Sequence, residues 1–228
     1  MDRKRYSLAD YNKKEASVDA TKFFIIYEGE LKEPKYFEAF NNNFLNPKTA
    51  CILHVFESDT KIVGSQPKKL IERAVEFIEN PPTGLKVTPT LEDKFRFVLD
   101  VDDHPTAQFD ELKDYCRSLP DANLYISNYC FEVWLYFHLD EQINMSCTSS
   151  SEMKTELGEK HTEHKLKNYP KSYLDIELIN NAIDRADKVD VDKENYFPAE
   201  KSSKVYLLMK ELLEYSIDNN KVKDPEIL

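Results

Sequence analysis

The chain has 228 residues and a formal net charge of −11 at pH 7, with 32% charged and 41% hydrophobic residues. This length suffices for one large domain, or for one domain with an appendage, around a sizeable core. The negative charge argues against broad electrostatic binding to nucleic acid or anionic membranes, although a local basic groove can coexist with an acidic average.

Three features of the sequence predict a cytoplasmic protein that has no membrane-spanning segment. No apolar run approaches the roughly 18 residues of a membrane span, and the basic N-terminus lacks the apolar core of a signal peptide. The four cysteines are widely spaced, as expected for free thiols in a reducing compartment. Residues 1–20 are predicted to form a mobile basic arm; the alternative is a tail that contacts nucleic acid or a partner.

Short apolar segments alternate with helical patterns along the first two thirds of the chain. Each apolar segment is rich in β-branched and aromatic residues, as in buried strands. The predicted strands lie at residues 23–26, 51–56 and 123–126 and in the run of residues 95–103, which ends in acids. The predicted helices lie at residues 35–45, 67–78, 105–116 and 131–139. This alternation predicts an α/β fold with a mostly parallel sheet of about four strands, flanked by helices.

The last third of the chain has a different composition. Residues 147–167 are rich in Ser, Thr, Glu, Lys and His, which favours a mobile excursion, a polar helix or a lid. Two amphipathic segments, residues 174–186 and 202–215, predict further helices. The predicted organisation is therefore an α/β core at residues 21–145, followed by residues 146–228 as a polar excursion with C-terminal helices that pack on the core.

Glu28 and Gly29 directly follow the first predicted strand. In open α/β sheets, ligands bind at the carboxyl ends of the strands, so Glu28 is a candidate site residue. Gly29, one of only four glycines, lets the chain turn sharply or lets another group approach the backbone.

A second acidic group, Asp100, Asp102 and Asp103, follows the strand that begins at Phe95. Residues two apart on an extended chain share a face, so we expect Asp100 and Asp102 to point together towards Glu28. Converging carboxylates repel one another unless a cation holds them, and oxygen ligands suit Mg²⁺ or Mn²⁺. The predicted metal ligands are Glu28, Asp100, Asp102 and Asp103. Alternatively, Asp102 or Asp103 caps the helix that begins at Pro105.

Three further residues are weaker candidates. Glu132 is the only acidic residue in the apolar segment FEVWLYFHL and misses both capping registers, although the helix dipole could favour it there. Lys171 precedes a predicted helix and could reach a phosphate, or it is an ordinary surface lysine. His104 could orient a water or bind phosphate, or it is a solvated loop histidine.

Four segments together resemble the RloB-like family, small bacterial proteins of phage-defence loci that are often encoded beside an ATPase. The segments are FIIYEGELKEPKYF, FVLDVDDHP, ISNYCFEVWLYFHL and YPKSYLDIELINNAI, and the resemblance covers residues 22–215. Its acid-Gly and DxD elements resemble the Toprim domain, the metal-binding module of topoisomerases, primases and OLD-type nucleases. By position, Glu28 matches the Toprim glutamate, Asp100 and Asp102 match the DxD pair, and Glu132 matches the acid of the ISN-x-CFE segment. The sequence departs from the family pattern at Tyr129, where proline is expected.

The resemblance implies a Toprim-like fold and a nuclease that depends on Mg²⁺ or Mn²⁺ and takes part in abortive infection. It implies a nucleic-acid substrate, DNA or RNA, and an ABC/AAA-type ATPase partner, and it leaves a homo-oligomer open. The implied catalytic residues are Glu28, Asp100, Asp102 and Glu132, and Lys171 is added as a catalytic candidate because it could reach a phosphate. One alternative is a non-catalytic regulatory or binding subunit on a Toprim scaffold, and another is phosphoryl or nucleotidyl transfer at the same carboxylates.

Overall fold

The computed structural model describes residues 21–29, 31–45, 51–55, 66–81, 88–102, 104–139, 145–165 and 170–216. For residues 51–55 and for Lys171 it describes the backbone alone. The predicted basic arm at residues 1–20 and the predicted metal ligand Asp103 lie outside these ranges.

The described strands form one sheet in the order β2-β1-β3-β4-β5. The strands are β1 Thr21–Tyr27, β2 Cys51–Val55, β3 Lys94–Asp100, β4 Ala122–Asn128 and β5 Ser202–Ser203. The first four are parallel to their neighbours, and the two-residue β5 is antiparallel to β4. The predicted α/β class with four parallel strands is confirmed, and the arrangement is consistent with a Toprim-like fold.

The helices flank this sheet and follow the predicted alternation. In the described ranges they are α1 Lys32–Phe44, α2 Pro67–Glu79, α3 Thr106–Ser118, α4 Phe131–Tyr136, α5 Ser150–Glu163, α6 Ile176–Val189 and α7 Val205–Leu213, with a short 3-10 helix at Lys171–Tyr173. None of them combines the length and apolar character that crossing a membrane requires.

The two central strands are buried along almost their whole length. In β1, residues 23–27 are all buried, and in β3 residues 95–100 are buried as well. Such continuous burial is typical of parallel strands covered on both faces. In the register of this pair, Tyr27 aligns with Val98, and the Glu28 N–H donates to the Val98 carbonyl at 3.0 Å. The register therefore brings the chain after β1 alongside the end of β3.

The structure shifts several predicted helix boundaries: the helix predicted at residues 131–139 ends at Tyr136, and the one predicted at residues 174–186 covers Ile176–Val189. The helix predicted at residues 202–215 begins only at Val205, because Ser202 and Ser203 pair with the end of β4. The Ser203 and Ser127 hydroxyls lie 2.8 Å apart in this pairing. The first helix begins at Lys32, upstream of the predicted residue 35, and Pro34 lies in its first turn, where no backbone N–H is needed.

The polar segment after residue 145 contains a helix, which selects one of the three predicted alternatives. Helix α5 covers Ser150–Glu163, and the Ser149 side chain caps it by accepting from the Glu152 N–H at 3.3 Å. Its buried residues Met153 and Leu157 lie one turn apart, so a narrow apolar stripe attaches an otherwise polar helix to the protein.

A buried arginine joins the sheet to the last helix. Arg96 on β3 is 1% exposed, and its guanidinium donates to both Glu211 carboxylate oxygens, at 2.8 and 2.7 Å. Asp121 contacts the same guanidinium at 2.8 Å. Bidentate pairs of this kind are among the stronger charged contacts, and removing one partner leaves a buried charge incompletely compensated.

We expect Glu211→Ala to lower the free energy of unfolding by about 2 kcal/mol, since Arg96 would keep Asp121 but lose its bidentate partner. Urea denaturation followed by circular dichroism measures this change. Glu214→Ala, at the exposed C-cap of the same helix, is the matched control and should change stability by less than about 0.5 kcal/mol. Equal losses of unfolding free energy in the two variants would show that the contact between Arg96 and Glu211 contributes little to stability.

Candidate functional site

The two acids that follow the central strands lie side by side. Glu28 Oε2 accepts a hydrogen bond from the Asp100 backbone N–H at 3.0 Å, and Glu28 Oε1 lies 2.9 Å from His104 Nε2. Both Glu28 and Asp100 are buried. Parallel pairing of β1 with β3 therefore brings together two residues that are far apart in the sequence, at the sheet edge where α/β proteins bind ligands.

The Asp102 carboxylate does not point towards Glu28, in contrast to what the sequence predicts. Strand β3 ends at Asp100, and Asp102 has a φ of 35° in the left-handed region, which aspartate tolerates better than most residues. The prediction that extended backbone aims both carboxylates at one point is therefore wrong. Asp102 is exposed, and its carboxylate accepts a hydrogen bond from the Ser150 hydroxyl at the start of α5.

The capping alternative for Asp102 is not observed either. Helix α3 has Pro105 at its N-cap position, and Pro105 has no side-chain group that could make a capping hydrogen bond. Asp102 instead lies close enough to the buried acids for its negative charge to raise the pKa of both Glu28 and Asp100. It therefore belongs to the electrostatic environment of the site, although its carboxylate points to α5.

Sequence reasoning missed a third buried acid, Glu33. It lies in the first turn of α1, and its carboxylate packs against Gly29 so closely that a Cβ at residue 29 would overlap it. Gly29 therefore serves the second of its predicted roles, close approach of another group to the backbone. The signal was present, because an acid in the first helical turn after an acid-Gly pair returns to the same sheet edge.

Burial and mutual repulsion make these acids difficult to ionise. The pKa of Asp100 is raised well above its usual range, first by burial and then by the charges of Glu33, Glu28 and Asp102. Burial likewise raises the pKa of Glu33, with a further contribution from Glu28. Burial also raises the pKa of Glu28, although the contact with His104 offsets part of the effect. The site therefore favours added positive charge.

One carboxylate oxygen of Asp100 has no hydrogen-bond partner among the described residues. Asp100 Oδ1 is buried without a hydrogen bond, which is unfavourable unless a proton or a cation occupies its vicinity. Carboxylate oxygens with raised pKa values fit a hard divalent cation such as Mg²⁺ or Mn²⁺. In the described part of the chain, however, no three His, Cys, Asp or Glu side chains have the spacing of a ready-made metal site. To complete a metal site, Glu28 would have to give up its contact with His104, and Asp102 its contact with Ser150.

Glu132 lies beside the acids and binds a lysine. It is buried in the first turn of α4, whose N-terminus has no side-chain cap. Its Oε1 contacts Nζ of Lys32, the first residue of α1. Lys154 on α5 is a second nearby cation, since its charge acts on Lys32, Glu33 and Asp100. The structure thus gives Glu132 a cationic partner, Lys32.

Two predicted site residues cannot be placed by their side chains. Asp103 lies outside the described residues, and for Lys171 only the backbone is described, at the start of the 3-10 helix. The segment with the unexpected Tyr129 does lie at the site. Its peptide bond with Asn128 is cis, and the Tyr129 carbonyl accepts from the Asp102 N–H at 3.1 Å.

Comparison with known proteins identifies one family. A family model described as RloB-like protein matches residues 23–212. No curated protein matches the chain, and no solved structure matches it. Because the match covers most of the 228 residues and includes the strands and helices that carry Glu28, Asp100 and Glu132, the chain belongs to the RloB-like family.

Proposed function

We propose that this protein is a divalent-metal-dependent nuclease that hydrolyses phosphodiester bonds in nucleic acid. The observation that carries the proposal is the buried, unpartnered Asp100 Oδ1 within a group of acids whose pKa values burial raises. Stability alone does not favour such a group, because replacing unpaired buried charges with apolar residues generally costs nothing or stabilises a fold. Perturbed carboxylates at the carboxyl edge of a parallel sheet are instead characteristic of functional sites.

Glu28, Asp100 and Glu33 are the residues proposed to hold the metal, with Asp102 joining them from the turn that follows β3. When bound, Mg²⁺ or Mn²⁺ would polarise the phosphoryl group and lower the pKa of a bound water. Glu28 has one oxygen fixed by the Asp100 N–H, which orients its carboxylate. His104 Nε2, at 2.9 Å from Glu28 Oε1, can hold or release a proton next to the reacting group.

The acidic chain makes a partner part of this proposal. A net charge of −11 opposes unaided capture of a polyanion. We therefore propose that an ATPase partner presents DNA or RNA to the site, in an anti-phage system of the abortive-infection type. The isolated chain should then cut poorly, and co-expression with its partner should be toxic.

A non-catalytic regulatory subunit is the second candidate, and one observation favours it. The described acids do not form a ready-made metal site, and lysines already supply positive charge nearby. Calorimetric titration with Mg²⁺ and Mn²⁺ separates the two candidates. Metal binding that Asp100→Asn abolishes supports the nuclease, whereas no binding at millimolar metal supports the regulatory role.

Glu28→Gln and Asp100→Asn should each reduce metal-dependent cleavage by roughly 10²-fold or more, as expected when a group that stabilises the transition state is lost. Each substitution preserves side-chain shape and removes one negative charge. Cleavage of nucleic acid by the chain with its partner in Mg²⁺, together with toxicity in cells, measures the effect. Asp114→Asn, an exposed substitution on α3, is the matched control and should retain activity.

Full cleavage and toxicity in Glu28→Gln or Asp100→Asn would refute the assignment of the site. The folded state of each variant should be checked by thermal denaturation, since loss of activity through unfolding does not test the chemistry. Neutral amides should in fact raise thermal stability in a chelator, because they remove repulsion among the buried acids.

Stability should also depend on pH and metal through Asp100. Its folded pKa lies above the ordinary value of 3.8, because of burial and of Glu33, Glu28 and Asp102. Between those two pKa values the folded chain binds more protons than the unfolded chain, so stability falls as the pH rises through this window. Asp100→Asn should lack this loss. The difference in unfolding free energy, variant minus wild type, should therefore grow from about pH 4 upwards in EDTA and level off above the folded pKa.

Added Mg²⁺ should reduce this difference by binding the folded wild type. At a free concentration of about ten times Kd, the gain is about 1.4 kcal/mol, visible as a rise in Tm of several degrees. Asp100→Asn should show a much smaller rise. A pH-independent difference between the two proteins in EDTA would contradict the raised pKa of Asp100.

A further inference from the structure

Lys32 occupies an unusual position for a residue that only balances charge. It is the first residue of α1, where the positive end of the helix dipole disfavours a cation. Its side chain remains 31% exposed while Nζ contacts Oε1 of Glu132, whose side chain is 3% exposed. The carboxylate is thus buried, and the lysine that binds it stays partly exposed in the helical turn that also carries Glu33.

A second lysine approaches the same place from another element. Lys154 is exposed on α5, the helix whose first residue, Ser150, binds Asp102. Burial lowers the pKa of Lys32, and the charge of Lys154 lowers it further. The charge of Lys154 also acts on Glu33 and Asp100. Two ammonium groups that repel each other are therefore kept beside the acids by separate helices, and an anion between them would relieve that repulsion.

Phosphodiester chemistry requires such cations. A phosphate that approaches Glu28, Glu33, Asp100 and Asp102 meets strong repulsion, which a metal ion reduces only where it binds. Lysine binds phosphate as a flexible point charge, and cations on the non-bridging oxygens stabilise the charge that develops in phosphoryl transfer. On an acidic chain, lysines beside the acids reduce that repulsion at the point where a phosphate would bind.

We propose that Lys32, positioned by Glu132, binds a backbone phosphate of the nucleic-acid strand beside the acid site, and that Lys154 is the second cation for that strand. The proposal rests on the proposed function for its substrate class. Lys32 is the substrate-binding residue, and Glu132 is a positioning residue that acts through it. This gives Glu132 a role different from metal binding, in agreement with its place beside Lys32.

The test measures how a fluorescein-labelled single strand of about 12 nucleotides binds to the full chain together with its partner in Ca²⁺. DNA and RNA strands are each followed by anisotropy across about 50–200 mM salt. Lys32→Met should weaken binding roughly tenfold, as expected for loss of a charged hydrogen bond. It should also reduce the slope of log K against log salt by about 0.7, the value for one lost phosphate contact on a single strand. Lys35→Met, an exposed lysine one turn further along α1, is the matched control and should leave the slope unchanged.

Two more variants separate phosphate binding from structural support. Lys32→Met alone leaves Glu132 with an uncompensated buried charge, so Lys32→Met combined with Glu132→Gln removes both charges and keeps the fold more stable. The double variant should show the same reduced slope. Lys32→Arg keeps the positive charge and should keep the wild-type salt slope. Glu132→Gln should raise KM for cleavage more than it lowers kcat, while thermal stability stays near that of the wild type.

An unchanged salt slope in a folded Lys32→Met or double variant overturns the inference. So does the absence of detectable binding of either probe by the wild type at the lowest salt. Neither result bears on whether Asp100→Asn abolishes cleavage, so the nuclease proposal can survive them. Conversely, a Lys32-dependent slope without any cleavage by the chain and its partner upholds the phosphate site and rejects hydrolysis.

Discussion

The parallel pairing of β1 with β3 is the constraint on which the rest of the site depends. Its register aligns Tyr27 with Val98 and brings the Glu28 carboxylate to the Asp100 N–H at 3.0 Å. Because both strands are buried on both faces, a shift of one residue would move every side chain to the opposite face and disrupt the packing there. The hydrophobic core specifies this register and therefore also determines which acids lie next to each other. A change of register would separate Glu28 from Asp100.

The unfavourable electrostatics of the site follow from that register. Glu28 and Asp100 come from the sheet, Glu33 comes from α1 through the space that Gly29 leaves open, and burial raises the pKa of all three. A structure that retains repelling buried groups, including an oxygen without a partner, is better explained by a ligand than by stability. The proposed metal ion would offset the negative charge of the acids, and the proposed phosphate would pair with the lysines beside them.

Helix α5 changes the interpretation of the polar segment that precedes the C-terminal helices. Its first residue binds Asp102, and Lys154 acts electrostatically on the buried acids. Composition alone suggests an excursion from the core, because the apolar stripe of this helix is narrow. The helix instead forms one side of the candidate site, and the turn at Asp102 aims that carboxylate at it.

The sequence by itself determined the alternation of strands and helices, and therefore the α/β class, because burial on both faces and helical periodicity leave strong local patterns. It also placed Glu28 and Asp100 at strand ends, and the RloB-like resemblance was confirmed. Only the tertiary structure decided that Asp102 turns away, that Glu33 returns to Gly29, and that Glu132 binds Lys32. Those outcomes depend on a left-handed backbone angle, a close approach and a contact between distant helices, none of which has a periodic signature in the sequence.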